Sequence, residues 1–144
     1  DLNTVLETVF FDFKRLPEIN PEYKLWSKQQ QVHYSDVSQG FTVGNCYFMA
    51  ALTCIANQKG LIESFFVFEK GQEWGSLNEH GIYSVVIHLG GVPQKVVVDD
   101  YFAITAKNKL LFSEPNENNN LWGVVLEKVW SKINVNYERT CAGW

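Results

Sequence analysis

No stretch of five like charges occurs in this sequence, and its formal net charge is only −4. Without a basic patch or an acidic tail, neither a nucleic acid nor an anionic membrane surface is expected as a partner. No apolar run approaches the roughly 20 residues of a bilayer-spanning helix, so no membrane span is expected. A secretory signal is not expected either: Val9-Phe10-Phe11 is too short an apolar core, and acidic residues surround it. Cysteine is scarce, with Cys46, Cys54 and Cys141 only. An odd count at irregular spacing gives no disulfide framework and no zinc-ligand pattern. Reduced thiols in the cytoplasm are the simplest reading. No Cys-x-x-Cys pair is present, which sets aside a thiol-redox role.

What is present is a single domain's worth of chain. The 144 residues are 46% hydrophobic and 15% aromatic, which argues against disorder and supplies a core. Residues 1–35 read as irregular, with a short helix over residues 2–13 carrying Leu2, Leu6, Val9 and Phe13 on one face. Pro17 and Pro21 then interrupt regular structure. Residues 26–33 are polar and glutamine-rich, a loop or a wrapped surface segment. Residues 46–57 lack glycine and proline and are apolar on nearly all sides, which predicts a buried helix with Asn45 near its N-cap. Residues 82–89 and 94–98 predict a hairpin turning at Gly90-Gly91. Leu110-Leu111-Phe112 suggests a third short strand. Residues 115–120 form a polar loop with four asparagines. The stripe Leu121, Trp122, Val125, Leu126, Val129, Trp130 and Ile133 predicts a long amphipathic helix over residues 121–137. The fold class is α+β. The aromatics Trp122, Trp130 and Tyr137 at helical spacing read as core rather than as a ligand box.

The segment most suggestive of chemistry is residues 38–52, SQGFTVGNCYFMAAL. Cys46 stands at the predicted helix start, where unpaired N–H groups and the helix dipole favour a thiolate. Its own N–H and the Gln39 side-chain amide can serve as donors to a developing oxyanion. Gly40 and Gly44 let the chain fold back tightly. The competing reading is a small apolar cysteine buried at the start of a core helix.

These residues also carry a family resemblance. Gln39-Gly40, then Gly44-Asn45-Cys46-Tyr47-Phe48-Met49-Ala50-Ala51-Leu52, resembles the calpain active-site stretch Gln-Gly-x-x-Gly-Asp-Cys-Trp-Phe/Leu-Leu-Ala-Ala. Phe13-Lys14-Arg15-Leu16-Pro17-Glu18-Ile19 is similar to the family's Trp-x-Arg-Pro-x-Glu-Ile segment. Val96-Val97-Val98-Asp99-Asp100 is similar to its Val-Val-Ile-Asp-Asp strand, and Leu110-Leu111-Phe112-Ser113 to the strand that follows. Residues 121–132 resemble its Phe-Trp-x-x-Leu-Leu-Glu-Lys-Ala-Tyr-Ala-Lys helix, and Tyr137-Glu138 and Ala142-Gly143 fit the end of that block. The matches are collinear from about Phe13 to the last residue. Papain-like enzymes in general share the Gln and Cys arrangement; the Val-Asp-Asp and Leu-Glu-Lys blocks are calpain features.

The resemblance implies the left-hand, Cys-bearing subdomain of a papain-like protease core over residues 36–144, with residues 1–35 as an extension wrapping it. It implies an intracellular, calcium-dependent cysteine endopeptidase with Cys46 as nucleophile and Gln39 in the oxyanion hole. In the family the catalytic histidine and asparagine lie in a second subdomain that follows. None of His33, His80 and His88 falls at a position the family uses. The chain begins at Asp1 and stops at Trp144, where the first subdomain is expected to end, so it reads as a piece with little or no peptidase activity of its own. Its expected partners are a protein substrate or the second subdomain. Three departures stand out. One extra residue separates Gln39 from Cys46, Tyr47 replaces tryptophan, and Asn120 falls where the family has a calcium-binding glutamate. Asp36 matches the family's calcium-binding aspartate, so Asp36 and Asn120 mark a weakened calcium site. The alternative function is a non-catalytic calpain-derived interaction or scaffold module in a larger assembly.

Overall fold

The computed structural model describes residues 6, 9–28, 32–38, 40 and 43–141. Its strongest local signal is the hairpin of β4 (Ile82–Leu89) and β5 (Val92–Asp99). Leu89 pairs with Val92 across a two-residue turn, and Gly90 and Gly91 have φ of 59° and 83°. Two successive positive φ values are those of a type I′ turn, whose twist matches that of the strands. Tyr83 and Val85 on β4 are buried, and Val98, opposite Tyr83, closes the same face. The short β3 (Phe66–Val67) pairs with the other edge of β4, giving the antiparallel order β3-β4-β5.

One helix packs on this sheet, and a second packs against the first. α4 (Trp122–Ile133) starts where the Leu121 and Trp122 N–H groups donate to the carbonyls of Lys24 and Leu25, at 2.8 and 3.2 Å. It stops four residues earlier than the sequence suggests. The Asn134 side chain donates to the Trp130 carbonyl at 2.9 Å, and Val135 takes φ of 81°, outside helical space. α2 (Cys46–Ala56) buries Met49, Leu52 and Ala56 and leaves Cys46, Ala50, Ala51 and Cys54 exposed. The expectation of a helix buried all round is corrected: its second face is apolar because its residues are small, and it is not covered. α3 (Leu61–Phe65) follows directly and leads into β3.

The N-terminal region departs most from expectation. Residues 10–13 lie in a strand, β1 (Phe10–Arg15), not a helix, antiparallel to β6 (Tyr101–Thr105) with Phe13 opposite Ala103. Residues 2–5, 7 and 8 of the expected helix lie outside the described residues. The turn α1 (Leu16–Ile19) follows, with Pro17 in its first turn. Leu25 and Trp26 are core residues, so the start of the supposed surface loop is buried. Residues 110–112 make no strand of their own: only Leu110 bridges to Ile104. The ladder ends there because both donors of Ser113 turn to another partner, described below. A small two-stranded sheet of β2 (Val37–Ser38) and β7 (Glu114–Pro115) joins the segment before Cys46 to the asparagine loop.

Candidate active site

Cys46 is the first residue of α2, and its thiol is free and exposed. This decides between the two readings of the cysteine in one respect: it is not a buried core residue. Asn45 occupies the N-cap, and its carbonyl starts the helix by accepting from Phe48 N–H at 2.9 Å and Met49 N–H at 3.2 Å. Its side chain does not cap the helix. The Asn45 Nδ2 instead reaches across to α4 and donates to Glu127 Oε1 at 2.6 Å. With the Phe48 and Met49 N–H groups taken by the Asn45 carbonyl and no side chain capping the helix, the Cys46 and Tyr47 N–H groups are the first-turn donors that can meet a developing negative charge.

Glu127 is the functional-site feature that sequence reasoning missed. It is 2% exposed. Its Oε2 accepts from Ser113 N–H at 3.1 Å and Ser113 Oγ at 2.6 Å, while Oε1 takes Asn45. Burial pushes its carboxyl above the usual range; the three donors pull it partly back. The signal in the sequence is a carboxylate between Leu126 and Lys128 in the middle of an amphipathic helix.

Gln39 lies outside the described residues. Its neighbour Gly40 packs directly on the Phe112 carbonyl, where any Cβ would collide with the oxygen. Glycine is required there by close approach, as the tight fold-back of this stretch demands. The Phe112 ring in turn stacks on Tyr137 at 3.9 Å between centroids. On the other side, Phe48 stacks on Trp130 at 5.2 Å, and Trp130 Nε1 donates to the Tyr47 hydroxyl at 3.1 Å. A tyrosine after the cysteine therefore has a specific partner. Trp122 is wholly buried, as expected of core.

None of the three histidines is joined to Cys46 by a hydrogen bond among the described residues. The His33 ring meets Ser35 Oγ at 2.7 Å, His80 lies by Glu79 at 3.4 Å, and His88 is exposed near the end of β4.

Asp36 is 3% exposed and its carboxylate is occupied. Oδ1 accepts from Asn116 Nδ2 at 3.2 Å; Oδ2 accepts from His33 N–H and Trp122 Nε1, each at 3.0 Å. Asn120 is buried with its Oδ1 unpartnered among the described residues. These two residues do not fit a calcium ion as they stand. Calcium takes roughly six to eight oxygens and favours carboxylates, whereas here one carboxylate faces three N–H donors. Among the described residues no group of three or more His, Cys, Asp or Glu side chains is placed to hold a metal.

An exposed thiol on the first turn of a helix is accessible to a reactant and is the feature to which the comparisons with known proteins speak. The chain matches the calpain family of cysteine proteases over residues 4–144, and it belongs to that family. It is 34% identical over 101 residues to Calpain-7 of Sus scrofa, covering 67% of this chain and 12% of that protein. It is 33% identical over 107 residues to Calpain-type cysteine protease ADL1 of Oryza sativa subsp. japonica, covering 74% of this chain and 5% of that protein. Calpain-5 of Caenorhabditis elegans is 30% identical over 132 residues, covering 91% of this chain and 20% of that protein. The chain thus spans about an eighth of Calpain-7. No helix among the described residues is long and apolar enough to cross a membrane.

Proposed function

We propose that this chain is the nucleophile-bearing half of a calpain-type cysteine endopeptidase: the left-hand subdomain of a papain-like core over residues 36–144, with residues 1–35 as its extension. Cys46 attacks the substrate's peptide carbonyl. The Cys46 N–H and the Gln39 amide stabilise the oxyanion. A histidine from a second subdomain takes the thiol proton and returns it to the leaving amine, and an asparagine orients that histidine. The observation that carries the reading is the exposed Cys46 thiol at the first position of α2, with the Asn45 side chain turned away from the helix end. Three free, exposed thiols support a reducing, cytoplasmic setting.

None of His33, His80 and His88 falls at a position the family uses for its base, and this chain alone is expected to have negligible peptidase activity. The test is alkylation of Cys46 against pH. A poised nucleophile reacts with a midpoint well below the roughly 8.5 of a free thiol. An ordinary midpoint would sink this reading and leave a non-catalytic interaction module. Peptide hydrolysis by the chain, abolished in Cys46→Ala, would instead show that a base is already present. Calcium dependence, implied by the family resemblance, finds no fitting ligand set in Asp36 and Asn120. Millimolar calcium is expected to leave the melting temperature of this chain unchanged; a rise would restore the site.

A further inference from the structure

Glu127 is a buried carboxylate with no cation beside it. Among the described residues no Lys, Arg or His forms an ion pair with it, and its partners are three neutral donors. Such a group is a poor device for stability alone, since apolar residues of similar volume often serve a core as well or better. Its geometry explains its place better than its energy does. One oxygen holds Asn45, the residue before Cys46. The other holds both donors of Ser113. The carbonyl of the preceding Phe112 is the surface on which Gly40 rests. Gly40 and Asn45 bracket the loop between Gln39 and Cys46. One carboxylate, mounted in the middle of α4, thereby fixes both flanks of that loop. The amide of Asn45 is held by this contact alone, because its Oδ1 has no partner among the described residues.

We infer that Glu127 is the positioning residue for Cys46: it acts through Asn45 and Ser113 to hold the thiol and the Cys46 N–H in register. It touches no reacting atom. The inference rests on the reading of Cys46 as nucleophile. The titratable group facing Glu127 is Tyr137, whose phenol is pushed upward by burial and by the Glu127 charge and stays neutral. The carboxylate therefore works through hydrogen bonds from neutral partners.

The experiment measures the iodoacetamide rate of Cys46 between pH 5 and 10 in the chain carrying Cys54→Ser and Cys141→Ser, both exposed positions, so that one thiol reports. Glu127→Gln keeps the shape but replaces an acceptor oxygen with a donor amide that faces either Asn45 or Ser113. It is expected to slow alkylation at pH 7 by about tenfold or more, the scale set by small misplacements of reacting groups, and to raise the midpoint of the profile. Ser113→Ala removes one donor from the same carboxylate and is expected to move both readouts in the same direction by less. It carries the test if Glu127→Gln does not fold. Wild-type rate and midpoint in a folded Glu127→Gln or Ser113→Ala chain would overturn the inference while leaving the nucleophile in place. An ordinary thiol midpoint in the parent chain would overturn the nucleophile reading itself, and the inference with it.

Discussion

α2 and α4 lie side by side in this subdomain and are used in opposite ways. Of the twelve residues of α4, eight are buried, among them Glu127 and Ser131. Of the eleven of α2, three are buried, and its exposed face carries two cysteines and two alanines. α4 is the beam on which the fold is built, contacted by the sheet on one side and by the Asp36, Asn45 and Ser113 segments on the other. α2 is anchored along one line only and presents its N-terminal thiol to solvent. A helix held on most of its circumference can carry a buried carboxylate in a fixed direction. A helix held on one side can carry a reactive group that remains reachable.

That contrast can be broken by substitution. The largest effect is expected for Trp122→Ala at the head of α4. This side chain is wholly buried and donates to Asp36 Oδ2, so the change leaves a cavity and a buried carboxylate short of a donor. A loss of about 3–5 kcal/mol is expected from urea denaturation at unchanged m-value. A loss under about 1 kcal/mol would mean that α4 is not the beam. Leu52→Ala on the anchored line of α2 should cost less, about 2–4 kcal/mol by the same measurement. A cost above that of Trp122→Ala would reverse the comparison.

Smaller effects sharpen it. Lys128 on α4 donates to Asp99 Oδ1 at 2.7 Å. Burial pushes the Asp99 carboxyl up, but the Lys128 contact, the Tyr101 N–H and the Lys132 charge more than offset this and hold it below its ordinary 3.8. A depressed carboxylate stabilises the folded state above its unfolded pKa and loses that contribution as pH falls through the folded value. Asp99→Asn should therefore cost about 0.2–1 kcal/mol at pH 7, since the aspartate is largely exposed, and nothing at a pH well below 3.8. A difference that persists in acid would assign the effect to packing. Least of all, Cys54→Ser on the open face of α2 should shift stability by under about 0.5 kcal/mol. A larger loss in a melting curve would show that this face is covered after all.

How much of this was legible beforehand follows the range of the interactions. The hairpin was readable because Gly90-Gly91 sets its turn and alternation sets its faces, both within a few residues. The start of α2, the position of Cys46 and the stripe of α4 are local for the same reason. Residues 10–13 read as helix because Leu6, Val9 and Phe13 fall at helical spacing, whereas the strand that pairs with them, β6, is remote in sequence, with Phe13 opposite Ala103. The polar neighbours of Trp26 suggest a loop or a surface segment, yet its ring sits among Phe66, Phe68 and Trp74. Asn45 was correctly placed at the helix start, but its side chain serves Glu127 rather than the cap. No local pattern distinguishes those two uses, because the choice is made by α4.

The order β3-β4-β5 leaves β5 with one unpaired side, the kind of edge on which strands of other molecules add. Leu89 and Val92 flank a two-residue turn as a hydrogen-bonded pair, so the next residue, Pro93, is the one whose N–H would point outward, and proline has none. Four residues on, Val97 is again outward-facing, and its carbonyl is taken by Lys132 Nζ at 2.6 Å. Lys95 adds a charge between them. Proline at position 93 and the Lys132 contact at Val97 thus remove two of the backbone groups to which an added strand would bond, and the charge of Lys95 disfavours such pairing further.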